Sequence, residues 1–187
     1  MNVGVLGGTF DPPHKAHIKI AERSIEQFNL DKVIFIPSGN PWQKKDTTSY
    51  RHRYEMTKIL IEDSNDLEIS DIENSEEKPS YTYETLKKLN HPKEELYFIL
   101  GSDAAINIKT WKNYELLSNL TNFLIALRSE DNIDVLEKNF PFNYEIISGN
   151  KLDLSSTTLR NKLKEKNIEV SDLPSEVLTY IKEKSLY

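Results

Sequence analysis

Two imidazoles three residues apart, His14 and His17, follow the run VGVLGGTFDPP at the front of the chain. At the start of a helix this spacing puts both rings on one face, and Pro12-Pro13 stiffen the entry. As N–H donors the rings can hold phosphate oxygens. Metal binding is the rival role, but no third ligand stands near them and the H-E-x-x-H pattern is absent. Gly7 and Gly8, just upstream, would let backbone N–H groups approach a ligand, with the positive end of the following helix behind them. The same pair also reads as an ordinary strand-ending turn. Neither the phosphate loop nor the G-x-G-x-x-G dinucleotide fingerprint fits this stretch.

Four more segments carry chemistry. In IPSGNPWQKK, Lys44 and Lys45, with Arg51 and Arg53 close behind, concentrate positive charge, either toward a substrate or as a solvated turn. LDLSSTTLRNKL reads as a helix start that Ser155 or Ser156 can cap, with Thr157, Thr158 and Arg160 within the first turn or so. A capped structural helix and a polyphosphate site both match it. In KPSYTYETL, Ser80 or Thr82 can cap a helix beginning near Tyr83, whose N–H groups, with those of Tyr81 and Thr82, can bind a carboxylate. GSDAAINIKTW places Asp103 just past a strand, as a ribose ligand or a helix cap, and Trp111 beyond it, as core or as a stacking face.

The elements that must position these residues are legible as apolar runs. VGVL, VIFIP (33–37), LEISDI (67–72), LYFIL (96–100), FLIAL (123–127) and YEIIS (144–148) read as strands. Several are apolar on consecutive residues, which suits strands covered on both faces. AHIKIAERSIEQF, YRHRYEMTKILIED and YTYETLKKLN have helical spacing, and SDLPSEVLTYIKEKSLY should be a terminal helix. Strands alternating with helices predict an α/β fold with a mainly parallel sheet. The polar stretches 38–49 and 73–80 read as loops. In such a sheet ligands bind beyond the carboxyl ends of the strands, which gathers the chemical segments on one rim.

At 187 residues the chain suits one domain over its whole length, 1–187. Zero cysteines exclude disulfides and thiolate zinc sites. No apolar run reaches the roughly 18 residues a membrane span needs, and MNVGVLGG lacks an export signal, so a cytoplasmic protein is expected. A net charge of −6 argues against a general nucleic-acid surface. Oligomeric state stays open, a homo-oligomer included.

GGTFDPPHKAH resembles the G-x-F-D-x-x-H-x-G-H signature of the nucleotidyltransferase superfamily, and LSSTTLR resembles its I-S-S-T-x-x-R partner. Within it, PSYTYETL and ILGSDAAINIKTW are similar to bacterial nicotinate-nucleotide adenylyltransferases, and the similarity runs over nearly the whole chain. The resemblance implies a Rossmann-like fold. It also implies adenylyl transfer from ATP to nicotinate mononucleotide, giving deamido-NAD and pyrophosphate in NAD biosynthesis. By the same resemblance His14, His17, Lys44 and Arg160 are catalytic. Gly7, Gly8, Thr9 and Phe10, with Gly101 and Asp103, would border the ATP, and Ser155, Ser156 and Thr157 would stand near its phosphates. Tyr81, Thr82 and Trp111 would hold the nicotinate ring. Magnesium (Mg2+) would arrive with the ATP, with no dedicated protein cage. Two positions depart from the family pattern: Ala16 stands where glycine is common, and Trp42-Gln43 replaces Pro-His. Nicotinamide mononucleotide, phosphopantetheine or glycerol phosphate as acceptor, or a sensor that binds ATP without turnover, are the alternatives.

Overall fold

Strands that are apolar on consecutive residues need cover on both faces, and the tertiary structure supplies it. The computed structural model describes residues 1–41, 43–44, 46–127, 132–150, 154–165 and 173–187. Six strands, β1 (Val3–Gly8), β2 (Lys32–Pro37), β3 (Leu67–Ile69), β4 (Leu96–Gly101), β5 (Asn122–Ala126) and β6 (Glu145–Ile147), form one sheet in the order β3-β2-β1-β4-β5-β6. Every pairing is parallel. Around it pack α1 (Lys15–Phe28), α2 (Tyr50–Ile61), α3 (Thr82–Leu89), α4 (Ser102–Ile106), α5 (Ile133–Asn139), α6 (Ser156–Lys164) and α7 (Ser175–Glu183).

Alternate strand residues enter two cores. Leu6, Phe35, Ile99 and Leu124 pack with Ala21, Met56, Leu159 and Val177 from α1, α2, α6 and α7. Val5, Ile36, Phe98 and Ile125 pack with Leu86, Ala105 and Leu136 from α3, α4 and α5. The fold is therefore α/β and Rossmann-like, a parallel sheet between two helical layers. Strand order reverses beside β1, because β2 and β3 lie on one flank and β4 on the other. A crevice opens at such a switch point, beyond the carboxyl ends of the strands.

Two differences from the sequence reading are local. β3 stops at Ile69, short of LEISDI, because Ser70 turns the chain and its Oγ accepts from the Ile72 N–H at 3.3 Å. α5 and the 3-10 turns at Lys93–Glu95, Ile108–Thr110 and Tyr114–Asn119 are too short to show a helical period.

The end of α7 matters for the site. Ser185 takes a left-handed φ of 52°. Leu186 N–H donates to the Ile181 carbonyl at 3.0 Å and Ser185 N–H to that of Lys182 at 3.2 Å, the paired bonds of a Schellman turn. Serine carries a left-handed penalty there that glycine avoids, partly offset by glycine's greater freedom when unfolded. Ser185→Gly should stabilise the protein by about 0.5 kcal/mol. A urea midpoint raised at unchanged slope checks it, and a lowered one contradicts the left-handed turn.

Candidate active site

A cavity of about 1230 Å³ opens beyond the ends of β1 and β4. Gly7 and Gly8 lie on its floor. They do not end the strand in a turn, since β1 runs through Gly8. Gly8 is small for another reason: a Cβ there would meet the Phe10 ring at 3.0 Å. Phe10 itself, at φ 51°, turns its ring into the core against Phe35, with His17 edge-on at 4.9 Å.

The chain then enters α1 with His14 at the N-cap. His14 is only 4% exposed, and its ring centroid lies 3.8 Å from that of His17. The His14 backbone N–H donates to Nδ1 of His17 at 3.1 Å, the place a Glu or Gln takes in a capping box. With Nδ1 accepting, the proton of a neutral His17 ring sits on Nε2, so the ring can act as a donor. Ala16 is buried beside them, its methyl accommodated at the cavity wall.

α6 approaches the same turn from the far end of the sequence. Ser155 is its N-cap and accepts from the Thr158 N–H at 3.1 Å. Ser156 Oγ donates to the Pro12 carbonyl at 2.9 Å. Arg160 Nη1 donates to the Asp11 carbonyl at 2.6 Å, and Nη2 to Thr157 Oγ1 at 3.3 Å. His14, His17, Ser155, Ser156, Thr157 and Arg160 thus line the cavity together. Thr9 joins them, together with Gly101 and Asp103 at the start of α4. Gly101, not Asp103, holds the N-cap position of that helix.

Tyr81, Thr82 and Trp111 line the same cavity. Tyr81 is the N-cap residue of α3, which begins at Thr82. Neither Ser80 nor Thr82 caps it, because Ser80 is drawn to the 38–41 loop, exchanging bonds of 3.0 and 3.2 Å with Asn40. Trp111 is half-buried and meets Phe98 edge-on at 6.2 Å, so it belongs to the core and the cavity wall at once. Glu73 lines the cavity as well. Burial pushes its carboxyl above the usual range, against the pull of Thr85, Ser80 and the Gly39 N–H.

Lys44 is exposed and lines the cavity, while Lys45 and Trp42 lie outside the described residues. Gln43 Nε2 donates to Thr110 Oγ1 at 2.9 Å, tying this loop to the segment before Trp111. Arg53 does not belong to a basic patch. It is 1% exposed and donates to the carbonyls of Thr48, Thr9 and Gly39 at 2.7, 2.8 and 3.1 Å. Burial lowers its pKa, opposed by the charges of Asp11 and Glu76. One guanidinium therefore fixes both loops that border the cavity.

Among the lining residues that sequence reasoning missed are Lys112, whose Nζ lies 4.4 Å over the Tyr81 ring, Arg23 and Glu73. Only Lys112 had a signal, its place beside Trp111. Among the described residues no group of three or more His, Cys, Asp or Glu gathers to hold a metal ion, and no helix is long and apolar enough to cross a membrane.

The chain matches the cytidylyltransferase-like family over residues 5–162. It is 38% identical to the probable nicotinate-nucleotide adenylyltransferase of Clostridium novyi (strain NT), covering 98% of each chain. It is 39% identical to that of Clostridium botulinum (strain Loch Maree / Type A3), over 100% of this chain and 99% of the relative. The solved structure of Plasmodium falciparum nicotinic acid mononucleotide adenylyltransferase complexed with NaAD superposes with a TM-score of 0.82 at 29% identity, over 100% of this chain and 97% of that one. With a switch-point cavity armed by both signatures, and relatives matched end to end, the chain belongs to the cytidylyltransferase-like family and, within it, to the nicotinate-nucleotide adenylyltransferases.

Proposed function

We propose that residues 1–187 act as one catalytic unit that joins the 5′-phosphate of nicotinate mononucleotide to the α-phosphorus of ATP. A phosphate oxygen of the mononucleotide forms the new P–O bond, the bond from Pα to the bridging oxygen of the β-phosphate breaks, and pyrophosphate leaves. Deamido-NAD is the product. The observation that carries this reading is one cavity lined both by the two imidazoles and Arg160 and by Tyr81, Thr82 and Trp111. The relatives' names support it, as does the neighbouring structure complexed with NaAD.

The nucleophile needs no general base. A phosphate with a second pKa of about 6 is already ionised at pH 7. The protein's work is to bring two anions together and spread the charge that builds on the oxygens around Pα. In this reading His14, His17 and the α1 N-terminus contact the reacting phosphates, and Lys44 and Arg160 the polyphosphate. Gly7, Gly8, Thr9 and Phe10 form the backbone floor beneath ATP. Gly101 and Asp103 border the adenosine, and Ser155, Ser156 and Thr157 the phosphates. Magnesium enters as part of the ATP substrate, held by the phosphates. In this reading the reaction is cytoplasmic and takes two small molecules, with no nucleic-acid or membrane partner.

Mixing ATP and magnesium with each candidate acceptor and following pyrophosphate tests the assignment. Release that depends on nicotinate mononucleotide is expected, whereas ATP binding without any release would leave only a sensor. Arg160 gives a narrower test. A lysine keeps the charge but loses the fork that serves Asp11 and a phosphate together. Arg160→Lys should lower kcat/KM for ATP about 10-fold, with the KM for nicotinate mononucleotide unchanged. An unaltered ATP dependence would reduce Arg160 to a structural tie between α6 and Asp11.

A further inference from the structure

The hydroxyl of Tyr187 donates to Oδ1 of Asp11, a contact that joins the segment after α7 to the turn before α1. The Schellman turn at Ser185 is what sends the chain back in that direction, and Leu186 and Tyr187 both pack against the core around α7. Asp11 is 3% exposed, and its other carboxylate oxygen accepts from the Thr48 N–H at 3.2 Å. The carbonyl of this same residue accepts from Arg160 Nη1 at 2.6 Å. Asp11 also faces Arg53, whose protonated form it favours.

A buried carboxylate that faces the Arg53 guanidinium, with Arg160 held on the carbonyl of the same residue, keeps its orientation only while its oxygens have fixed donors. Without the Tyr187 hydroxyl, Oδ1 is short of a donor, and the available cations are Arg53 and Arg160. Arg53 is already committed to three carbonyls. Arg160 is the one that can be drawn inward, away from the cavity. We propose that Tyr187 is a positioning residue for ATP: by holding the Asp11 carboxylate it keeps Arg160 aimed at the polyphosphate. This inference rests on the ATP role given to Arg160 above.

Tyr187→Phe removes the hydroxyl and keeps the ring. Tyr180→Phe is the control, since it removes a hydroxyl of α7 that lies 2.9 Å from His52 Nδ1, away from Asp11. Tyr187→Phe should weaken both kcat/KM for ATP and calorimetric binding of a non-hydrolysable ATP analogue about 10-fold. The KM for nicotinate mononucleotide should stay within about twofold, and Tyr180→Phe should match the wild type. In an Asp11→Asn background Tyr187→Phe should add little, because the two residues act as one unit. A general loosening of the tail would instead lower ATP affinity in both Phe variants and add fully to Asp11→Asn, and that result overturns the proposal. So does an unchanged ATP affinity in Tyr187→Phe. The binding arm is independent of turnover: a wild type that binds the analogue but makes no product from nicotinate mononucleotide refutes the proposed reaction, and the comparison of Tyr187 with Tyr180 can still be read.

Discussion

Replacing His17 by alanine should lower kcat about 100-fold or more, the scale for losing one preorganised donor at a site of developing charge. The geometry adds a qualification that the sequence did not suggest. His17 Nδ1 also accepts the N-cap N–H of α1, so alanine removes a cap worth about 1 kcal/mol along with the donor. His17→Gln separates the two effects, because glutamine at the third helical position can restore the cap without restoring an imidazole. Both variants should lose turnover alike, while only His17→Ala loses thermal stability. Glutamine activity near wild type would show that the ring serves the helix rather than the phosphates.

Acid over amide preference should be nearly as large. Nicotinate mononucleotide carries a carboxylate where nicotinamide mononucleotide carries an amide, and both keep the cationic ring. In the proposed reading Trp111, which lines the cavity, would offer either ring the same stacking face and contribute affinity without choosing. The choice would come from the N-terminus of α3 at Thr82, whose orphan N–H groups and positive dipole end favour an anion. A carboxamide forfeits that charge and points an NH2 at donors that cannot accept it. Lys112, 4.4 Å from the Tyr81 ring centroid, adds a cation on the same side, although its partial exposure and its 3.8 Å contact with Glu84 weaken the contribution. Together these should give about 2 to 4 kcal/mol, or roughly 30- to 1,000-fold in kcat/KM. Trp111→Ala should weaken both mononucleotides by similar factors. Comparable kcat/KM for acid and amide would mean a dual-specificity enzyme and remove the nicotinate assignment.

The sheet was readable in advance because its signal is local. An apolar run such as LYFIL has no solvated face, and only burial between two layers accommodates it, as β4 shows with Leu96, Phe98 and Leu100 in one core and Ile99 in the other. The chemical segments were readable as well, because His14 and His17, or Ser155 and Arg160, are close enough in sequence for one helix start to align them. From those patterns alone followed the α/β class, the shared rim and the family resemblance.

Which polar side chain faces the cavity and which is buried beneath it depended on neighbours far away in the chain. Arg51 and Arg53 look alike in the sequence, yet Arg51 is exposed while Arg53 is committed to the carbonyls of Thr9, Gly39 and Thr48. Ser80 looks like a helix cap, but the 38–41 loop takes its hydroxyl first. Gly8 looks like a turn residue, and only the folded-back Phe10 ring shows why it has no side chain. Asp11 meets Tyr187 across 176 positions of sequence. Composition and spacing fix what one helix or strand can align within itself. Satisfying a buried charge or carbonyl needs whichever donor or acceptor the packed fold brings within about 3 Å, and that was decided only when β1, α2, α6 and the segment after α7 came together around one turn.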